Sequence, residues 1–468
     1  MSGRTSIVRG SVRAATGLVI TGIAATAAIV LGTGDSFQVE RPPLALTVDT
    51  QQGGEQRLVC AGPFGELGAD PSQPDVSIPV GTVDVAFAAA DGVTAGEQTL
   101  HPNNGSTDGG KTFTGATGET MGAAQYTAVK TATIAGAAAS TCVSPANSLW
   151  LIGGSSTLGV STTVTIGNPS DVIATVHLAV FDENGRIDAS ESAGVIVPAG
   201  GQQTVSLNGF APDRERLAVQ VTSTGAPVTA SLGVAHIVNL TPFAISSGTR
   251  QLRPAMTSVI PAVMHRDVSG RENRASDAGD GDEVPVTVRV IAADGAEGVA
   301  RVRAVDAAGS ITELGTINLA ADTVGDLVVA KWPKQANAVI VEADVPVYSA
   351  ARAAARMLGS QDYEWFSAAP VINADSEVAV PVVKGGQLVV TNPGTTTAEV
   401  SVRATGGATA NVKVPAGAAV PIALSGASVL STNAPVYAAV RVVGDNRMAG
   451  YPIVPEIDRD GELTVYLR

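Results

Sequence analysis

The sequence predicts an all-β chain: tandem antiparallel β-sandwich modules of immunoglobulin or fibronectin type, after one N-terminal transmembrane helix. Three observations carry this. Short segments alternate apolar and polar residues with period two, as in Val83-Asp84-Val85-Ala86-Phe87. Gly (52 residues) and Pro (26) punctuate the chain at intervals suited to short strands and turns. From Trp150 onward the same strands and turns recur.

The N-terminus sets the compartment. Residues 14–34 (AATGLVITGIAATAAIVLGTG) carry no charge, and Arg4, Arg9 and Arg13 precede them with no acid before Asp35. About 20 apolar residues span a bilayer core. The basic flank stays inside, which makes residues 1–13 cytoplasmic and places everything after Asp35 outside. A cleaved signal peptide is the rival reading, with Ala25-Thr26-Ala27 as its cleavage site. Against it, Ile29-Val30-Leu31 extends the apolar run past that site. Both readings export the rest of the chain.

Composition narrows the function classes. Hydrophobic residues make up 45% of the chain and aromatics only 4%, so its cores are built from Val, Ala, Leu and Ile. The net charge of −14 excludes nucleic acid as a partner, because a phosphate backbone demands a basic face. Two cysteines, Cys60 and Cys142, in an exported chain read as a disulfide. Closing a loop of that length stabilises by about 4 kcal/mol in the chain-entropy model.

Residues 35–147 read as a disulfide-tied β module. Leu44 to Val48, Arg57 to Cys60, Val83 to Phe87 and residues 126–134 (YTAVKTATI) look like strands within it. Residues 148–265, 284–360 and 361–468 read as three β-sandwiches, with an acidic linker over 266–283. Asn168-Pro169 recurs as Asn392-Pro393, and Pro198-Ala199-Gly200 as Pro415-Ala416-Gly417. The middle copy keeps the strands but loses both signatures. All three copies share a last hairpin whose second strand opens with Pro-Val: Pro227-Val228, Pro346-Val347 and Pro435-Val436. Pro suits a strand entrance, where its missing N–H is least harmful. Alternation then sends Val228, Val347 and Val436 into their own cores. Tyr348 and Tyr437 point the other way, to the outer face or a neighbouring module. Residues 350–358 (AARAAARML) have helical propensity. Register with the repeat makes 346–352 strand, and 353–358 is expected as a helical turn.

Several motifs invite chemistry and are outweighed. Residues 105–112 (GSTDGGKT) fit the phosphate-loop pattern G-x-x-x-x-G-K-[ST]. A true phosphate loop needs a buried strand before it and a helix after it, and neither context is present around Lys111. Asp277, Asp280, Asp282 and Glu283 could offer oxygens to a hard cation, but their spacing is not that of a calcium loop, and a solvated linker is the plainer reading. His101, His177, His236 and His265 have no metal-ligand spacing. No nucleophile elbow surrounds any serine. Trp150, Trp332 and Trp365 could stack on sugars, but in a chain so poor in aromatics they read as core anchors. No catalytic, cofactor or metal residue is therefore assigned; the one site is the Cys60–Cys142 pair.

The chain resembles a family of actinobacterial membrane-anchored secreted proteins of unknown function. The likeness rests on the N-terminal apolar segment, the early Leu58-Val59-Cys60-Ala61-Gly62-Pro63, and the repeated Asn-Pro, Pro-Ala-Gly and Pro-Val-x-Ala signatures, and spans residues 58–455. It implies no activity and no cofactor. The expected function is a non-enzymatic extracytoplasmic envelope protein, tethered to the membrane by a single span. It would act as scaffold, spacer or adaptor for another envelope protein or glycan. The alternative is a glycan-binding module or an envelope enzyme, and a cleft lined by acids with an exposed Trp would favour it.

Overall fold

A computed structural model describes residues 44–49, 55–67, 72, 76–103, 106–187, 194–267, 284–357, 360–424, 426–444, 447–455 and 462–467. The expected span over 14–34 and most of the acidic stretch 266–283 lie outside the described residues. Among the described residues no helix is long and apolar enough to cross a membrane. The chain forms two compact units. The smaller contains one antiparallel ribbon, Leu44–Asp49 against Glu462–Leu467. The larger is Gly53–Ile457.

Apart from a 3-10 turn at Ala293–Gly295, every regular element described is a strand, and strand pairing is antiparallel except for two short parallel contacts. Pairing resolves the larger unit into four modules with one strand plan. In the second module, Thr241–Thr249, Thr229–Val238, Val160–Gly167 and Gly201–Ser206 form one sheet, in that order. Ser148–Ile152, Ala218–Thr224, Ala174–Asp182 and Val195–Val197 form the other. The fourth module repeats both sheets. Arg447–Pro452, Tyr437–Gly444, Gly386–Thr391 and Ala419–Ala423 make the first; Glu377–Val380, Ser428–Thr432, Ala398–Ala404 and Thr409–Val414 make the second. Valines and leucines from both sheets meet in apolar cores, as in the cluster of Leu149, Val164, Leu178, Val221 and Leu232, and these cores run on into residues of the neighbouring module.

In the third module all the strands join one eight-stranded sheet, and a single long strand, Ala336–Met357, runs through it. Its first part pairs with Gly298–Asp306 and its second with Thr287–Ala292 and Ser360–Ser367. The expectation of a helical turn over 353–358 fails here. Ala353, Ala354 and Ala355 are strand, buried and paired with Glu364, Tyr363 and Asp362. Ladder hydrogen bonds and burial override the intrinsic preference of alanine. The module's limits also move. Ala255–Pro261 pairs with the long strand, so the third module begins before the acidic stretch. Ser360–Ser367 closes the third module, so Trp365 lies in its last strand rather than before the first strand of the fourth. The first module keeps a reduced plan, with Ala135–Cys142, Met121–Lys130 and Thr82–Ala89 in one sheet and Glu55–Val59, Lys111–Ala116 and Gly96–Thr99 in the other.

The last strands of the four modules, Ala135–Cys142, Thr241–Thr249, Ser360–Ser367 and Arg447–Pro452, pack in a closed cycle, each against the next and the fourth against the first. Small residues line this hub: Ala137, Ala139, Ser246, Gly248 and Gly450 let the backbones approach. The Pro-Val register follows the expected alternation. Val228, Val347 and Val436 are all buried, Val347 in the third core and Val436 in the fourth. The next residue faces the preceding module. Tyr348 stacks on Trp150 at 5.0 Å, and Tyr437 packs on the third core. In the first module the equivalent residue is Gly122. There a Cβ would stand 3.2 Å from the Ala379 side chain and 3.1 Å from its carbonyl, so any side chain would press on the seam that closes the ring.

The paired signatures explain each other. Asn168 donates through Nδ2 to the carbonyls of Val172, Val197 and Pro198. Asn392 does the same to Thr396, Val414 and Pro415. The Asn of Asn-Pro thus holds the strand end that carries Pro-Ala-Gly, and one signature is of little use without the other. Gly200 and Gly417 take left-handed φ of 62° and 68°, and in the third module Asp322 takes 56° at the matching turn.

Candidate functional site

Cys60 and Cys142 are bonded, and both are 2% exposed. Val59 and Val143 beside them exchange two backbone hydrogen bonds of 2.9 and 3.0 Å. The bridge joins the first strand of the first module to its last, so it staples the module at its hub edge.

The hub contains the strongest electrostatic feature, and the sequence reading missed it. Asp362 and Glu364 alternate with Tyr363 and Trp365 along Ser360–Ser367. Asp362 Oδ2 accepts the N–H of Ala137 at 2.8 Å and of Met448 at 3.0 Å. Its own neighbour Tyr363 and Ile245 of the second module add further N–H groups. One carboxyl of the third module thus binds backbone of the other three. Glu364 Oε1 accepts from Ser246 Oγ at 2.6 Å and Ser247 N–H at 3.3 Å. Its Oε2 is buried with no partner of ordinary geometry. Burial pushes both carboxyls well above the usual range. Two buried carboxylates on one face do not ionise together readily. Hydrogen-bond donors partly offset this rise for both groups, Met448, Ala137 and Tyr363 N–H on Asp362 and Ser246 Oγ and Ser247 N–H on Glu364.

On the opposite face, Arg289 lies 4.5 Å over the Trp365 ring and binds Asp326 through Nε at 2.8 Å. It also donates to the carbonyls of Gly154, Leu217 and Glu215, joining the third module to the second. His236 packs on Phe243 and Tyr363, and burial together with Arg352 lowers its pKa to about 4. These groups are all engaged within the protein. The signal that could have found them is a strand whose acids sit at i and i+2 between aromatics, Asp362-Tyr363-Glu364-Trp365-Phe366.

A groove of about 430 Å³ lies open between the first and second modules. Phe64, Leu67, Ile134, Leu158, Val160 and Ile237 give it apolar walls. Ser161, Thr163 and Asn208 supply polar atoms, and among the described residues Glu66 is the charged one lining it. Gly233 keeps it open, because a Cβ there would meet Thr163 and Phe64.

The other candidates from sequence fall outside this groove. Lys111 opens a strand, Lys111–Ala116, and pairs with Glu97; no helix follows to present N–H groups to phosphate. Trp150 and Trp365 are buried, and Trp332 packs partly against the third core. His177 faces solvent, His265 accepts the N–H of Ala354, and His101 sits in a short strand, His101–Pro102. Among the described residues no group of three or more His, Cys, Asp or Glu is arranged to hold a metal. The cluster Asp277, Asp280, Asp282 and Glu283 lies outside them.

The chain belongs to a family of unknown function, DUF5719, whose model matches residues 109–425. No curated protein matches. A solved structure described as "Crystal structure of tetra-tandem repeat in extending region of large adhesion protein" aligns at 13% identity, covering 84% of this chain and 93% of that one. Its TM-score is 0.11, too low to carry an argument.

Proposed function

We propose that this DUF5719 protein is a non-enzymatic envelope component: four sandwich modules of immunoglobulin type, closed into a ring and held outside the membrane by the apolar segment 14–34. It serves as a scaffold or adaptor that binds another envelope component. The observation that carries this reading is the disposition of its charges. The buried acids Asp362 and Glu364 are committed to backbone and hydroxyl groups of neighbouring modules, whereas the described lining of the open groove is largely apolar, with Glu66 as its one described acid. A glycan hydrolase needs two carboxyls flanking a substrate cleft, and a stacking lectin needs an open ring. The buried Trp150 and Trp365 and the groove's lining weigh against both. The Cys60–Cys142 bridge is in keeping with an oxidising exterior.

The test is photo-cross-linking in intact cells from the full chain, with the reactive group at Ile237 in the groove and, as control, at Lys413 on a remote exposed strand. One recurrent adduct from Ile237 and none from Lys413 is the expected result. Cleavage of envelope glycan by the purified chain would overturn the reading.

A further inference from the structure

Among the described residues three arginines are buried, and their surroundings differ. Arg289 has the Asp326 carboxylate, and Arg441 gives both Nε and Nη2 to Gln387 Oε1. Arg250 has one bond: Nη2 donates to the Ser144 carbonyl at 2.8 Å. Its Nε is buried without an acceptor, and no described carboxyl pairs with it. Burial lowers its pKa to about 10, so the guanidinium stays charged at neutral pH. A buried charge without a counter-charge is costly.

Arg250 lines a small cavity at the seam of the first and second modules. Val59, Cys60 and Thr141 wall it from the first module, and Thr165, Ser231 and Thr249 from the second. No acid is among its described lining residues. It measures about 10 Å³, room for one water-sized occupant. Thr249 Oγ1 accepts the Thr141 N–H at 3.3 Å, so its own proton is left to donate. A water in the cavity would give Nε an acceptor but leave the charge uncompensated. A small anion supplies both. Sulfate, phosphate and carboxylates are too large for the space.

We propose that this cavity is a halide site, in which one chloride-sized anion sits against the Arg250 guanidinium and the Thr249 hydroxyl. The anion ties the seam together. Arg250 follows the last strand of the second module, and its Nη2 holds Ser144 just beyond the last strand of the first. With its charge balanced, that strap stays buried at little cost. With the cavity empty, the unpaired guanidinium gains by opening to water. Occupancy therefore stabilises the folded chain, and more so as halide concentration rises.

The test follows the melting temperature of the full chain while sodium gluconate is exchanged for sodium chloride at constant ionic strength. Gluconate is too large for the cavity, so screening is held fixed while site occupancy changes. A saturable rise of a few degrees is expected, with bromide acting like chloride. Arg250→Gln should abolish it; a rise of the same size in that variant overturns the site. Crystals of the unsubstituted chain grown in bromide give the location without any variant, and carry the test with the salt series if Arg250→Gln does not fold. An anomalous peak beside the Arg250 guanidinium is expected. A cavity holding water alone overturns the proposal. So does a bromide peak without halide-dependent melting, which marks an adventitious ion only.

Discussion

The Asp362 carboxyl of the third module accepts the backbone N–H of Met448 in the fourth at 3.0 Å, while the same oxygen holds Ala137 of the first at 2.8 Å. One oxygen atom therefore spans the seam where the chain's last module meets its first. Replacing Asp362 with Ala strands at least two buried N–H groups. It should cost about 2–3 kcal/mol, because each buried N–H left without an acceptor carries its own desolvation penalty. Denaturant unfolding measures the loss. Hydrogen exchange should rise first in Arg447–Pro452 and Ala135–Cys142. Unchanged protection in those two strands would show that the ring closes without Asp362.

Glu364 to Gln should be nearly neutral at pH 6 and improve relative stability in alkali. Burial raises the Glu364 pKa in the folded state. Such a group stabilises fully below its unfolded value, about 4.3, and loses that contribution as pH rises through the folded value. Gln keeps the acceptor for Ser246 and never ionises. Melting temperatures between pH 6 and 10 should therefore fall less for the variant than for the parent, and parallel curves would assign the proton elsewhere.

His236 works with the opposite sign. Its pKa is depressed from 6.5 to about 4, so the folded protein keeps it neutral while the unfolded chain takes a proton. Its contribution is intact above pH 6.5 and is lost as pH falls through about 4. His236→Gln should flatten that acid limb of a pH–stability curve. An acid limb of unchanged depth would rule His236 out as its source.

Asn392 tests the link between the two signatures. Asn392→Ala leaves the carbonyls of Thr396, Val414 and Pro415 without their side-chain donor and should cost about 2–3 kcal/mol. Asn392→Asp should be worse, since it points a carboxylate at three carbonyl oxygens. Urea titration ranks the two; Asp milder than Ala is the result the network does not allow.

Gly122 marks the closing seam. Gly122→Leu would drive a side chain into Ala379 and Pro381 and should cost about 1–3 kcal/mol by overpacking, with Gly122→Ala milder. Calorimetry compares them, and exchange at Glu377–Val380 should report the opening. Equal stability of all three chains would mean that the seam is looser than these distances.

Much was determined by the sequence alone. Period-two alternation in a Gly- and Pro-rich chain set the all-β class. The Pro-Val repeat set a register that buries Val228, Val347 and Val436 and turns Tyr348 and Tyr437 to a neighbour. The two cysteines gave their own bond. These are local or pairwise properties: a strand's period and a proline's missing N–H act over a few residues.

Ring closure, the Asp362 and Glu364 hub and the groove were decided by tertiary structure. Asp362 reads as an ordinary surface acid until Ala137 and Met448, 225 and 86 residues away, bring their N–H groups to it. The alanines at 353–355 read as helix until two neighbouring strands offer them a ladder. For the hub carboxyls the deciding energy comes from groups remote in the chain, desolvated only when four modules meet; for the alanines it comes from the ladder of Ser360–Ser367 and from burial. A pattern read along one strand carries no record of that meeting.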